Sequence, residues 1–169
     1  MMEKNEFTVR AWLGLGSNID AEKNIRAAVD ALKKHFDELV ISPVYESEAV
    51  GFEGDNFLNL VVGIMTSMNI DELNATLKFI EDSNGRSRAG EKFSPRTLDI
   101  DILTYGDEDL TEQGINIPRH EILTYAFVLK PLSEVAPDER HPHVGISYQK
   151  LWEGFDHDSQ QMKLYSLEF

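Results

Sequence analysis

The chain has 169 residues, 41% of them hydrophobic and 27% charged, which is typical of one folded domain with its own core. Its formal net charge of −14 disfavours nucleic acid and anionic membranes as partners, because both reward basic surfaces. The chain contains no cysteine, no apolar run near the roughly 20 residues of a membrane span, and no signal-peptide pattern in residues 1–10. We therefore expect a cytoplasmic protein that binds small molecules, and a monomer is favoured.

Hydrophobic periodicity predicts the element order β-α-β-β-α-β over roughly the first hundred residues. Asn69 is a candidate N-cap for the second helix, and Pro43 places the second strand at an edge or a bulge. The predicted elements are strand 7–15, helix 20–36, strand 39–45, strand 57–65, helix 70–82 and a strand at 96–103. This order indicates an α+β fold, a ferredoxin-like βαββαβ antiparallel sheet with flanking helices.

The remainder of the chain is less regular. Residues 126–135 are predicted to be helical in part, with Pro131 breaking a continuous helix, and residues 147–155 to form a short helix. We expect a single domain over residues 1–169, with loose or peripheral ends at 1–6 and 156–169.

The last predicted strand carries two carboxylates on one face. In "RTLDIDIL" (96–103), Leu98, Ile100 and Ile102 alternate with Asp99 and Asp101. Because side chains on a strand repeat every second residue, the two aspartates lie side by side. A solvated strand face is the simplest explanation of such a pair.

A basic segment directly precedes these aspartates. Residues 83–96 contain the acid Glu91 and four basic residues, namely Arg86, Arg88, Lys92 and Arg96. Mg²⁺ prefers one or two carboxylates together with phosphate oxygens, and arginine binds phosphate in a bidentate manner. The juxtaposition favours an Mg-polyphosphate site over a solvated face.

Three further motifs are weaker on their own. "GLGSN" (14–18) lacks the third glycine of a dinucleotide fingerprint and is no Walker A loop, so it predicts a tight strand-to-helix turn. Phe57 and Asn59 share a strand face and suit a flat heterocycle, although a strand phenylalanine usually belongs to the core. His141 and His143 indicate a surface turn more than a metal site.

Four segments together resemble a known enzyme family. They are "GLGSN", "PVYESEAVGFEGDNFLNLVV" (43–62), "GRSRAGEKFSPRTLDIDIL" (85–103) and "AFVLKPLSEVAP" (126–137). In order and spacing they resemble the 6-hydroxymethyl-7,8-dihydropterin pyrophosphokinases of folate biosynthesis, over roughly Val9 to Pro137. The resemblance implies a ferredoxin-like fold and transfer of pyrophosphate from ATP to the pterin hydroxymethyl group, with release of AMP.

The resemblance also implies roles for individual residues. Asp99 and Asp101 would bind magnesium, two ions in all, with Asp99 also near the pterin, and Arg86 and Arg96 would be catalytic. The residues implied at the ATP site are Glu81, Arg86, Arg88, Lys92, Arg96, Ile100 and Arg119. Those implied at the pterin site are Ser47, Val50, Phe57, Asn59, Phe93 and Phe127.

Four positions depart from the family pattern, mostly on the nucleotide side: Lys78, Phe93, Arg119 and Tyr125. Arg119 stands where a histidine is usual, and Tyr125 replaces an arginine. Two alternatives therefore stay open: a divergent non-catalytic or altered-substrate homologue that binds a pterin or nucleotide, and an acidic interaction module whose aspartates bind a divalent ion.

Overall fold

The computed structural model describes residues 8–48, 55–83 and 98–169. Within these ranges the chain forms six strands and five α-helices. The strands are β1 (Val9–Ser17), β2 (Val40–Ile41), β3 (Val44–Ser47), β4 (Phe57–Thr66), β5 (Asp99–Tyr105) and β6 (Met162–Tyr165). The helices are α1 (Ala21–His35), α2 (Ile70–Ser83), α3 (Glu121–Thr124), α4 (Ala126–Val135) and α5 (Tyr148–Glu153), with a short 3-10 turn at Thr111–Gln113.

The strands form one antiparallel sheet in the order β5-β1-β4-β3-β6, and β2 also pairs with β4. The two strands with the longest pairing, β1 and β4, lie side by side at its centre. β5 follows α2 and pairs with the other edge of β1, as the split βαβ pattern requires. The predicted ferredoxin-like α+β fold is confirmed.

The two long helices cover one face of the sheet. Ile25, Val29 and Leu32 of α1 and Leu73 and Leu77 of α2 are buried against the inward side chains of β1, β4 and β5. These residues belong to the larger of the two cores, which both helices build together with the sheet.

The predicted N-cap of α2 is confirmed. Asn69 Oδ1 accepts the Glu72 N–H at 2.8 Å, and the Glu72 carboxylate accepts the Asn69 N–H at 3.0 Å. This reciprocal capping box satisfies two helix-terminal donors.

Pro43 lies between β2 and β3, and the pairing there confirms the predicted bulge. Ile41 pairs with Val62 and Tyr45 pairs with Asn59, so three residues between them face two on β4. The Val61 N–H, which this bulge displaces from the regular ladder, donates to Ser42 Oγ at 2.8 Å.

The opposite face of the sheet carries a smaller core. Trp12, Val61 and Leu103 from the strands pack with Ile122 of α3 and Leu129 of α4. The prediction that Pro131 breaks the helix at 126–135 is wrong, because α4 is continuous. The proline removes only the hydrogen bond to the Phe127 carbonyl, while buried residues on both sides of it hold the helix on the sheet.

The C-terminal end, which was predicted to be loose or peripheral, contains a peripheral strand. Met162–Tyr165 pairs with β3 as the outermost strand, with Ser47 opposite Met162 and Val44 opposite Tyr165. Tyr165 also donates to Glu22 of α1 at 3.1 Å. Residues 162–165 therefore lie at the periphery but are held by a strand ladder.

Among the residues that the structure describes, no helix is both long and apolar enough to cross a membrane.

Candidate active site

A cavity of about 280 Å³ opens on the face of the sheet that carries α4. Its walls come from β1, β3, β4, β5 and the α3–α4 segment, so residues distant in sequence meet there. The lining includes Gly14, Gly16, Ser47, Phe57, Asn59, Asp99, Asp101, Arg119, Glu121, Tyr125 and Phe127.

Asp99 and Asp101 stand on the β5 wall of the cavity, opposite two glycines of β1. Asp99 pairs with Gly16, and Asp101 pairs with Gly14. Directly paired residues point to the same face of a sheet, so the strand beside the carboxylates bears no side chain. The prediction that "GLGSN" is only a turn is wrong: residues 14–17 belong to β1, and the two glycines form part of the cavity floor.

Asn59 on β4 lies across that floor from Asp99. Gly16 pairs with Asn59 on one side and with Asp99 on the other, so the three residues form one row across the sheet. Asn59 is only 6% exposed, and its amide donates to Ser47 Oγ at 2.8 Å. Because this bond fixes the side-chain amide, Asn59 can present a preset hydrogen-bonding group to a ligand.

Tyr45 anchors the neighbouring part of β3. Its hydroxyl donates to the Glu134 carboxylate of α4. Burial and this carboxylate raise the pKa of the Tyr45 hydroxyl, so it stays protonated and keeps donating at neutral pH.

Aromatic rings supply the apolar walls. Phe57 of β4 and Phe127 of α4 both line the cavity, as expected for residues that would enclose a flat ring. The Phe127 ring stacks on Tyr125, with ring centroids 5.0 Å apart and planes inclined by 21°. Tyr125 therefore extends the aromatic wall.

Arg119 brings a positive charge to the Asp101 end of the cavity. Its Nη2 lies 3.8 Å from Asp101 Oδ1, and its Nε donates to the Glu121 carboxylate. The Asp101 side chain is 45% exposed, so water screens this longer contact. Arg119 also faces the cavity and is placed to bind an anion there.

Glu81 and Ile100 meet away from the described cavity lining. Glu81 is 6% exposed, and its Oε2 accepts the backbone N–H of Ile100 at 2.7 Å. The Ile100 side chain points into the core. Glu81 thus fixes the backbone of β5 between the two aspartates.

Several predicted site residues fall outside the described residues: Val50, Arg86, Arg88, Lys92, Phe93 and Arg96. Lys78 is described and lies exposed on α2.

Sequence reasoning missed several cavity residues, among them Gly14, Gly16 and Glu121. Gly14 and Gly16 had a detectable signal, because glycines spaced by two on a strand leave one face bare. Glu121 had no detectable signal in the sequence, since its contact with Arg119 at the cavity depends on the tertiary structure.

His141 and His143 lie at the predicted turn, but the turn is only partly at the surface: His143 is exposed, whereas His141 is buried. The His141 ring nitrogen Nδ1 accepts the N–H groups of His143 and Val144, at 3.1 and 3.3 Å. Burial lowers the pKa of His141, which favours this neutral, accepting ring. In the described part of the chain, no group of three or more acidic or histidine side chains has a metal-binding arrangement.

A family model for 7,8-dihydro-6-hydroxymethylpterin-pyrophosphokinase (HPPK) matches residues 12–137. The matched range contains every described residue of the cavity named above. The chain belongs to the HPPK family.

Named relatives agree with that assignment. A 2-amino-4-hydroxy-6-hydroxymethyldihydropteridine pyrophosphokinase of Aquifex aeolicus is 39% identical over 133 residues, which cover 78% of this chain and 82% of the relative. The Bacillus subtilis protein of the same name is 39% identical over 129 residues, or 74% of this chain and 77% of the relative.

Solved structures support the fold. A Plasmodium falciparum HPPK-DHPS chain superposes on 89% of this chain with a TM-score of 0.68 and 14% sequence identity. The match covers 45% of that chain, so the protein described here spans less than half of its length. At 14% sequence identity, this structural similarity supports the fold alone.

Proposed function

We propose that the protein transfers the pyrophosphoryl group of ATP to 6-hydroxymethyl-7,8-dihydropterin, forming the pterin diphosphate and AMP. The observation that carries the proposal is the row Asp99–Gly16–Asn59. This row places an acidic pair and a buried, oriented amide on opposite sides of Gly16. Membership of the HPPK family names the chemistry that such a cavity would serve.

The donor set of the β5 wall fits magnesium. Asp99 and Asp101 offer hard oxygen ligands on one strand face, and Mg²⁺ takes one or two carboxylates plus phosphates and waters. Bound there with ATP, Mg²⁺ would neutralise charge on the phosphates and favour displacement at phosphorus. Glu81 contributes indirectly, because its bond to the Ile100 N–H holds the backbone between the two ligands.

Asn59 and the aromatic walls would hold the acceptor. A pterin enclosed by Phe57 and Phe127 can hydrogen-bond to Asn59, whose amide is already oriented by Ser47. A ring extending from Asn59 over Gly16 directs its far end toward Asp99. Such positioning converts an encounter between two substrates into a reaction within one complex.

Arg119 would serve the nucleotide side. Its guanidinium shares the cavity with Asp101 and can contact ATP phosphate oxygens while Glu121 keeps its Nε in place. Arg86 and Arg96, which lie outside the described residues, are proposed to stabilise the transferring group, with Arg88 and Lys92 adding positive charge.

Product analysis tests the proposal. The full chain is incubated with Mg-ATP, with and without 6-hydroxymethyl-7,8-dihydropterin, and the AMP formed is measured by chromatography. We expect AMP only in the presence of the pterin, and loss of the product when EDTA removes the metal. Pterin or ATP binding without AMP would favour the altered-substrate homologue, and no binding of either would favour the interaction module.

Asn59→Leu tests the proposed acceptor site. Each lost hydrogen bond to the pterin costs about 1 kcal/mol, so we expect the KM for pterin to rise by roughly tenfold or more. The KM for ATP should stay within about twofold, because Asn59 lies on the far side of the floor from Asp99. Steady-state kinetics with each substrate varied in turn measures both constants.

Asn24→Leu is the matched control. Asn24 of α1 is similarly buried, at 8% exposure, and its side-chain amide donates to the Ile19 carbonyl at 2.6 Å. It should lower thermal stability without changing the KM for pterin. An equal rise in that KM for both variants would contradict the role of Asn59.

A further inference from the structure

Gln160, which lies just before β6, is hydrogen-bonded to the joint between α3 and α4 at the cavity wall. Its Oε1 accepts the Ala126 N–H at 2.8 Å, and its Nε2 donates to the Thr124 carbonyl at 2.7 Å. Both ends of one side-chain amide are therefore bonded to the two backbone groups that flank Tyr125.

These two backbone groups have no helical partner of their own. Thr124 is the last residue of α3 and Ala126 the first of α4, and helix ends leave such carbonyl and N–H groups unsatisfied. Between them Tyr125 is extended, with φ −118° and ψ 125°. Gln160 therefore bridges the joint at which the chain turns from one helix into the next.

The bridged joint sets the aromatic wall. The Tyr125 ring lines the cavity and stacks on Phe127, with centroids 5.0 Å apart, so a change at the joint is passed to both rings. Two residues after Gln160, Met162 pairs with Ser47, whose hydroxyl orients Asn59. The same short segment thus contacts the supports of both the aromatic wall and the amide.

We propose that Gln160 is a positioning residue for the acceptor: through the backbone of Thr124 and Ala126 it holds the Tyr125–Phe127 stack in register with Asn59. This inference rests on the proposed function, since it assigns the stack to the pterin. Both hydrogen bonds of the Gln160 amide lie at the joint between α3 and α4, so we expect its loss to act on the pterin side.

The test compares Gln160→Ala with Gln161→Ala in the full chain. Gln161 is the exposed neighbour and gives a matched loss of the same side chain. For Gln160→Ala we expect the KM for pterin to rise about fivefold to tenfold, with kcat and the KM for ATP within about twofold. Hydrogen exchange should accelerate at the Ala126 amide in Gln160→Ala and stay unchanged in Gln161→Ala.

Three results would overturn the inference: an unchanged KM for pterin, an equal change in both variants, or a fall in kcat alone, which is the mark of a smaller folded fraction. Calorimetric titration of 6-hydroxymethylpterin into wild type and Gln160→Ala separates this inference from the proposed function. Tighter pterin binding by the wild type, even without AMP release, would support Gln160 while the proposed transfer fails. Equal binding, or none by either protein, would overturn the positioning role.

Discussion

Asp99→Asn and Asp101→Asn are each expected to lower kcat by about 100-fold or more, equivalent to about 2.7 kcal/mol of transition-state stabilisation. Asparagine keeps the shape of aspartate and removes the charge that a magnesium ion requires. Both aspartates line the cavity, and each is paired across the sheet with a glycine of β1. We therefore expect the free energy of unfolding to change by less than about 1 kcal/mol. AMP formation and thermal denaturation measure the two effects.

The matched control is Asp107→Asn. Asp107 is exposed in the turn that follows β5, outside the cavity lining, and its replacement should leave kcat unchanged. Titration with Mn²⁺ supplies a readout besides turnover, because each site variant should lose metal affinity while Asp107→Asn keeps it. Near-normal turnover in either site variant would remove that aspartate from the proposed metal site.

Gly63→Ala is expected to cause a large loss of stability. A Cβ built on Gly63 of β4 would lie 2.4 Å from Cζ3 of Trp12, and two further ring atoms would be within 2.9 Å. Trp12 is 3% exposed and its Nε1 donates to Glu139 at 3.1 Å, so the ring has little room to move. Overpacking of this kind costs about 3 kcal/mol, or roughly 5–10 °C in Tm.

Two controls isolate the contact between Gly63 and Trp12. Gly154→Ala meets nothing closer than 3.7 Å at a φ of −88°, and it should change the free energy of unfolding by less than about 1 kcal/mol. In a Trp12→Leu background the added cost of Gly63→Ala should fall below about 1 kcal/mol, because the clashing ring is gone. An undiminished cost in that background would mean that the glycine is required for another reason.

Local pattern was sufficient where one residue and its near neighbours decide the outcome. The capping box at Asn69 and Glu72 needs only residues three apart, and the bulge at Pro43 follows from a missing N–H. The alternation of Ile100 with Asp99 and Asp101 likewise assigned the two faces of β5. These features were predicted and are confirmed.

Predictions from the local sequence pattern were incomplete where contacts between distant residues compete with local conformational preference. Pro131 indicated a broken helix, yet burial of Leu129 and Leu132 on the sheet keeps α4 continuous. The polar residues after Asp156 indicated a loose or peripheral end and gave no sign of the pairing with β3 that makes residues 162–165 an edge strand. In both cases the deciding energy comes from an element that a local window does not contain.

By itself the sequence determined the ferredoxin-like order of elements, the acidic pair on β5 and, by family resemblance, the chemistry to expect. Only the tertiary structure decided that Gly16 separates Asp99 from Asn59, that Arg119 reaches Asp101, and that Gln160 bridges the joint at Tyr125. The physical reason is the distance along the chain over which each kind of interaction acts. Side-chain alternation and capping act over a few residues, whereas a cavity forms from strand register and helix packing between residues far apart along the chain.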